Sequence, residues 1–528
     1  MGSYARWRGP LGIMIALVAI LFFSAGCTLF GTDAPEVIVV QGAVSSNWDP
    51  PVDWTSQHQW ILTNVYERLI EKDDDLQFTP TLATAWEQTD EHTMRFNLRE
   101  GVTFHSGHAF TAEDVKHTYE RILAGSAADF LVYPNFTWIE EVRVIDTYTV
   151  DIIAENPTNM FLHNLSGHGA QIISRGYLNE NGPDAMKDAA SGTGRFKVKD
   201  WGRDDFVLLE ANTDYWGDKA EIDGIRFRNV PEASTRVAEL LTGDAHVGQA
   251  LPRRDKDRLE AAEGLRVADV PSDRGFIMSV RHFARPGADN PAIDRDFVTA
   301  DPRVREAIEL AFDKQQLANV LGAGTPIRSR SFMPAAEADP TLYGDAANLY
   351  DPDRARALLA EAGFDANNTP RLVFHSFQGR FANDQDFALA MTAMLEAVGF
   401  EIDAHYMEWS TFREQIYGPN NNEELMLLSL GANFNPFFAL YFNKSDVLGE
   451  ISYGWVNPQY DALVDQAFST PDRNEYLRLF HEALHIIAEE RPFIHLVQQY
   501  ELWAMDKNLH FNPRVDNEIH GFRMKWLD

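Results

Sequence analysis

The sequence predicts a mixed α/β protein built from more than one domain-sized unit, and three observations carry that prediction. The chain runs to 528 residues, enough for about two to four units around large buried cores. It is 45% hydrophobic and 12% aromatic, the composition of a globular rather than a disordered chain. Segments that alternate apolar and polar residues are interleaved with segments of helical spacing, and no fixed repeat relates them.

Val37-Ile38-Val39-Val40 is the first strand candidate. Thr93 to Leu98 alternates and forms a second, turned by Arg99-Glu100-Gly101 into a short extended piece, Val102 to His105. Ser106-Gly107 turns again. Thr111 then caps a helix, with Asp114 three residues on as the capping-box partner, and with Glu113 and Asp114 in the first turn where negative charge suits the helix dipole. Val142 to Ile153 reads as two strands folded back at Asp146-Thr147.

Three later helices begin with a capping side chain followed by proline. Asp301-Pro302 precedes Val304, Ala307, Ile308, Ala311 and Phe312; Asp351-Pro352 precedes Ala355, Leu358, Leu359 and Ala362, with Gly363 to end the helix; Asn457-Pro458 precedes Tyr460, Leu463, Val464, Ala467 and Phe468. Tyr476, Leu479, Phe480, Ala483, Leu484 and Ile487 mark a longer helix that stops before Pro492. Their apolar stripes are core-facing.

Charge bounds the partners. There are 46 Lys+Arg against 79 Asp+Glu, a formal charge of -33, so the basic face that a nucleic-acid binder requires is missing. The acidic excess is spread along the chain as a solvated surface. The N-terminus carries Arg6 and Arg8, an apolar run from Leu11 to Phe23, and then Ser24-Ala25-Gly26-Cys27. About 13 apolar residues make an export signal rather than a membrane span. Small residues just before the single cysteine resemble a bacterial lipobox, which would make Cys27 the lipid-bearing first residue of a mature chain; the alternative is ordinary cleavage nearby, leaving a free thiol. No disulfide within the chain is possible with one cysteine.

The segment around residue 105 carries a likeness. Leu98, Arg99, Gly101, Val102, Phe104, His105, Gly107, Thr111, Ala112, Asp114 and Val115 resemble the signature of the bacterial extracellular solute-binding proteins of family 5, the peptide and nickel class of ABC-transporter receptors. Pro80-x-Leu82-Ala83-x-x-Trp86 precedes it. Asp146-x-Tyr148-Thr149-Val150, Pro157 and Phe161 follow, then Gly192-Thr193-Gly194-x-Phe196 (with Arg195 where the family has proline), Asn212-x-x-Tyr215-Trp216, Val304-Arg305-x-Ala307-Ile308 with Asp313-Lys314, Asp351 to Phe364, Trp409-x-x-Phe412 and Asn457 to Ala467.

The resemblance implies a two-lobed periplasmic-binding-protein fold of class II type, with an extra subdomain on the first lobe and a ligand cleft at the hinge. By analogy, residues 1–26 are the lipoprotein signal and 27–35 a tether. Lobe I takes 36–75, 190–278 and 495–528, the subdomain 76–189 and lobe II 279–494. It further implies a monomeric receptor, without cofactor or catalysis, in the periplasm or at the cell surface. A lipid would hold it to the membrane, and it would hand a peptide or an oligosaccharide to an ABC permease and its ATPase.

The residues themselves offer three kinds of site. His105 with His108, His163 with His168 and His481 with His485 are close pairs, but each lacks a nearby third ligand and no HExxH occurs, so no metal site is expected. No GxSxG motif or second cysteine supports nucleophilic catalysis, and Gly192-Thr193-Gly194 is too short for a phosphate loop. A secreted, metal-dependent hydrolase is the rival class. A solute cleft needs flat aromatic surfaces and directed hydrogen-bonding groups. Asn47, Trp48 and Trp54 supply them after the first strand, with core packing of Trp48 as the alternative. Gly431, Asn433 and Phe434 supply them later, and Trp409 joins them. In peptide-binding members the matching segment carries an Asp four residues before proline that pairs with the peptide's α-amino group; here Ala432 stands at that place and Asn433 beside it. Amides and aromatics without that carboxylate also suit a polyhydroxylated ligand, which keeps an oligosaccharide open beside an oligopeptide.

Overall fold

A computed structural model describes residues 36–527 apart from 45–46, 53–55, 75–76, 127–128, 284–296, 323–338, 343–348, 379–382, 409–410, 413–414, 416–422, 432–439, 447–453 and 471. Ten strands form one sheet. From edge to edge they are Glu401–Glu408, Arg371–Gln378, Leu425–Gly431, Leu265–Val280, Phe493–Asp506, Val247–Gly248, Val37–Gln41, Gly224–Asn229, Phe206–Ala211 and Phe196–Gly202. At one end Val37–Gln41 runs parallel to both of its neighbours. At the other, Arg371–Gln378 does the same. Each parallel trio contributes to its own core, although the edge strand Glu401–Glu408 is only partly buried.

Two long antiparallel strands join these halves. Leu265–Pro271 pairs with Tyr500–Asp506, and Gly275–Ser279 pairs with Phe493–Gln498, with register shifts between Pro271 and Gly275 and between Phe276 and Ile277. Before the interruption Val270, Trp503 and Met505 pack with Val37, Val39 and Phe227. After it, Phe276 to Val280 and Phe493 to Val497 pack with the helices of the other half. The ladder is broken where the chain passes from one core to the next.

The helices of the second lobe start where their caps predict. Asp301, Asp351 and Asn457 accept hydrogen bonds from the backbone N–H of Arg303, Arg354 and Tyr460, and Gly363 follows its helix at φ 93°. The long helix Arg473–Glu490 ends on Arg491 in the left-handed region. The strands expected at 37–40, 93–98 and 142–153 form as Val37–Gln41, Thr93–Leu98 and the hairpin Ile139–Asp146 with Thr149–Ala154. The last three lie in a separate four-stranded sheet with Ala83–Gln88, whose core holds Phe96, Phe104, Phe110, Tyr119 and Phe136.

The motifs around His105, Gly192–Gly194 and Asn212–Trp216 meet at one junction, between this smaller unit and the first lobe. The backbone N–H of His105 donates to the Gly192 carbonyl at 2.8 Å, and its Nε2 lies 3.0 Å from the Gly194 carbonyl oxygen. Gly194 N–H donates to the Val65 carbonyl, at the end of the helix Ser56–Val65, at 2.9 Å. Asn212 Nδ2 donates to the Gly194 carbonyl at 3.1 Å, and Tyr215 Oη and Trp216 Nε1 donate to the two carboxylate oxygens of buried Glu67 at 2.6 and 3.0 Å. Arg195, where the family has proline, lays its guanidinium 4.6 and 4.2 Å from the ring centres of Tyr215 and Phe522. The helix after Thr111 is locked to the same unit: the Asp114 carboxylate accepts from Thr111 N–H and from Arg175 N–H, each at 2.9 Å.

Burial holds His105 neutral, its pKa lowered from 6.5 to about 4. Because the folded state resists protonation, an unfolded chain takes up this proton first as pH falls. His105 therefore adds nothing above pH 6.5, and the folded state loses stability between pH 6.5 and about 4. The expected loss is about 2 kcal/mol, below the ~3 kcal/mol of a full displacement of this size, because the residue is only partly buried. His105→Gln should flatten the acid limb of urea midpoints measured between pH 7 and 4.5; an unchanged slope would remove His105 from the account.

Candidate functional site

A cavity of about 300 Å³ lies where the two long strands cross between the lobes. Arg236, Ala250 and Arg253 line it from the first lobe, Phe276, Leu321 and Asn383 from the second, and Gln499 to Leu502 from the crossing strand itself. The parallel trio of the first lobe ends here. In open α/β sheets ligands settle outside the carboxyl ends of such strands, where the order reverses.

Arg236 explains the shape of the first-lobe wall. It sits on the helix Ala233–Thr242 and is 5% exposed. Its Nη1 donates to the carbonyls of Val230 and Pro231 at 2.7 and 2.9 Å. Its Nε reaches the Gln249 carbonyl at 3.2 Å and its Nη2 the Ala250 carbonyl at 2.8 Å. One buried side chain thus ties together the loops that leave two strands, and burial lowers its pKa. Ala250 lies at φ 50°, a left-handed conformation costly for a residue with a Cβ. Arg236 and the bond from Leu251 N–H to the Leu502 carbonyl, 3.1 Å long, hold the chain on either side of it.

Among the described residues, three buried amide atoms near this wall have no protein partner. Gln249 Nε2 donates to Gln41 Oε1 at 3.3 Å, while buried Gln41 Nε2 and Gln249 Oε1 have none. Gln499 Oε1, on the crossing strand, is also buried without one. Buried amides are almost always satisfied; of these three residues only Gln499 lines the cavity, while Gln41 and Gln249 are buried outside its lining. From the second lobe Asn383, at φ 60°, lines the cavity at the start of the helix Asp384–Val398. On the first lobe Arg253 and Lys256 both donate to Asp269 at 2.5 Å.

The expected site residues fare differently. Gly431 ends its strand opposite Arg274, beside the interruption in the long ladder. Trp54, Trp409, Asn433 and Phe434 lie outside the described residues, as does Cys27. Asn47 makes a local turn, its Oδ1 accepting from Asp49 N–H at 3.0 Å. Trp48 requires a correction: it is 0% exposed, in the core of the first lobe, edge-on to Trp201 with ring centres 5.5 Å apart. Its backbone N–H donates to the Met186 carbonyl and its backbone carbonyl accepts from Tyr66 Oη, each at 2.8 Å, and Asp49 beside it is held by Arg121 at 3.0 and 2.5 Å. The Trp48 ring is packed inward, which leaves no face of it for a solute.

Histidine pairs carry structural contacts. His108 Nδ1 lies 3.0 Å from Ser106 Oγ and its Nε2 3.2 Å from Glu180. His485 faces Asp339 at 2.9 Å. Among the described residues no group of three or more His, Cys, Asp or Glu is placed to hold a metal ion. Sequence reasoning missed Arg236, Arg253, Phe276, Asn383 and residues 499–502. They come from chain segments far apart, and an arginine on an amphipathic helix reads as exposed.

Comparisons with known proteins bear on the family and the fold. The family model described as bacterial extracellular solute-binding proteins, family 5 middle, matches residues 77–446, well over half of the chain. The glutathione-binding protein GsiB of Escherichia coli K12 is 27% identical over 512 residues, covering 94% of each chain. The dipeptide-binding protein of the same strain is 25% identical over 458 residues, covering 81% of this chain and 82% of that one. Among solved structures, the ABC transporter substrate-binding protein CtaP of Listeria monocytogenes superposes with a TM-score of 0.81 at 18% identity, over 94% of this chain and 100% of that one. DppA of Helicobacter pylori, in complex with the peptide STSA, gives 0.74 at 21% identity, over 94% and 98%. These structures share the two-lobed fold. No helix among the described residues is long and apolar enough to cross a membrane.

Proposed function

Since the chain belongs to the bacterial extracellular solute-binding proteins of family 5, it works as the substrate-binding receptor of an ABC transporter, and we propose that the solute it captures is a short peptide, of which glutathione is the first to test. The observation that carries this reading is the cavity of about 300 Å³ lined from both lobes and from the strand that joins them. Such a volume is at the lower end of small-molecule sites and suits a di- or tripeptide. A solute that touches both walls favours the closed arrangement by its differential affinity, without any bond made or broken. Relatives over nearly the full length are named for glutathione and for dipeptides.

In this reading residues 36–75, 190–278 and 495–528 move with the subdomain 76–189 against 279–494. Cys27 carries the lipid that keeps the receptor at the membrane, where it delivers its solute to a permease driven by an ATPase. The segment 432–439, with the side chains of Asn433 and Phe434, forms part of the cleft wall together with Trp54 and Trp409. Ala432 replaces the carboxylate that would pair with an α-amino group, so the site recognises the peptide backbone and carboxylate end more than its ammonium.

Titration calorimetry of residues 28–528 against glutathione, di- and tripeptides, their N-acetylated forms and oligosaccharides tests this. A peptide should bind at about 10 μM or tighter, and N-acetylation should weaken it less than tenfold. Binding of oligosaccharides alone would overturn the peptide reading, and turnover of any of these compounds that a chelator abolishes would overturn the receptor reading.

A further inference from the structure

The two lobes touch at a second place, away from the crossing strands. The loop before Phe161 belongs to the small unit built on the first lobe, yet Asn159 bonds to the second lobe. Its backbone N–H donates to the Phe468 carbonyl at 2.8 Å. Its Nδ2 donates to the carbonyls of Ala467 and Thr470, each at 3.0 Å. These oxygens close the helix Pro458–Ser469, whose last carbonyls have no partner within the helix. Asn159 therefore acts as a C-terminal cap supplied from the other lobe.

Met160, the next residue, is 3% exposed and buried within the second-lobe core; every other buried member of that cluster, among the described residues, lies between Phe276 and Val497. Thr158 Oγ1 accepts from Met160 N–H at 3.1 Å and shapes the loop that presents both side chains. The unit carrying this loop cannot follow the second lobe, because His105 and Gly192 fix it to the first.

We propose that Asn159 and Met160 form a clasp that holds the receptor closed and sets the rate at which solute leaves. Opening about the crossing strands must pull Asn159 off three carbonyls and withdraw Met160 from an apolar core, a cost absent from any structure hinged at the strands alone. The clasp biases the lobe equilibrium even without solute, so part of the affinity is paid into closure before a ligand arrives. Asn159 is a positioning residue, since it lies outside the cavity described above.

The inference rests on the receptor reading for its consequence, and its deciding measurement, a distance distribution, needs no solute. Ile145, 45% exposed, and Leu389, 46% exposed, stand on the small unit and on the second lobe. Cysteines placed there carry spin labels, because the only natural cysteine, Cys27, is absent from residues 28–528. Asn159→Asp keeps the shape of the side chain but turns a carboxylate toward the carbonyl oxygens, and Met160→Ala removes the apolar plug. Each should move the solute-free distance distribution toward longer separations, and the release of a bound peptide in stopped flow should quicken about tenfold, the equivalent of one or two lost hydrogen bonds. A distribution identical to the parent in both variants, with circular dichroism unchanged, would overturn the clasp. Failure of every peptide to bind would leave the distance result standing and strike only the proposed solute. Should Met160→Ala fail to fold, Asn159→Asp decides alone.

Discussion

Arg68→Ala is expected to destabilise the protein by about 3–5 kcal/mol. The Arg68 side chain is 1% exposed; Nη1 donates to Glu71 at 2.7 Å and Nη2 to Glu518 at 3.0 Å. His520 Nε2 lies 2.8 Å from the same Glu518. Burial alone would raise the Glu518 carboxyl, but Arg68 and then His520 hold it well below its usual range. Its folded pKa is depressed, so the stabilisation is present above the unfolded value of 4.5 and is lost as pH falls further toward the folded value. Removing the guanidinium leaves a carboxylate buried without its main cation, which is far worse than never having had the pair. Urea midpoints at pH 7 should fall steeply for Arg68→Ala, and the double variant Arg68→Met, Glu518→Gln should recover most of the loss. A single variant within about 1 kcal/mol of the parent would mean that the charges are solvated.

Gly192→Ala should cost about 3 kcal/mol or more, for a reason of space. A Cβ built on Gly192 would lie 1.9 Å from the Val65 carbonyl oxygen and 2.7 Å from its carbon. Neither side can retreat: the Val65 carbonyl accepts from Gly194 N–H, and the Gly192 carbonyl accepts from His105 N–H. The substitution therefore pushes the 192–194 turn off the end of the helix Ser56–Val65 and, through the His105 bond, loosens the small unit on the first lobe. Gly101→Ala is the control, because Gly101 is at φ 76° with nothing within 4 Å of a Cβ; it should cost only the left-handed strain of about 1–2 kcal/mol. Limited proteolysis should cut the Gly192→Ala protein between the two units while leaving the Gly101→Ala protein intact. Equal behaviour of the two variants would show that the contact yields.

Much of the scaffold was legible because its signals are local. Asp301, Asp351 and Asn457 cap their helices through their own side chains, and such bonds need only a few neighbouring residues. The motif residues His105, Gly192, Asn212 and Tyr215 pointed to a fold, and they turn out to be the fastening of one unit to another. The aromatic-loop argument failed at Trp48 because a tryptophan after a first strand serves a core as readily as a cleft, and sequence spacing does not distinguish the two faces of a loop. Arg236 was invisible: its four carbonyl partners lie 5 to 14 residues away along loops, and no periodicity records such a knot. Asn159 was equally silent, since its partners stand more than 300 positions downstream.

The central claim is that a short peptide is held between two lobes that close upon it. Small-angle scattering of residues 28–528, recorded while glutathione or the best peptide of the calorimetric panel is titrated in, tests it most directly. The radius of gyration should fall and saturate with the same midpoint as the heat of binding. Saturable binding with no compaction would contradict closure, and compaction driven only by an oligosaccharide would contradict the peptide.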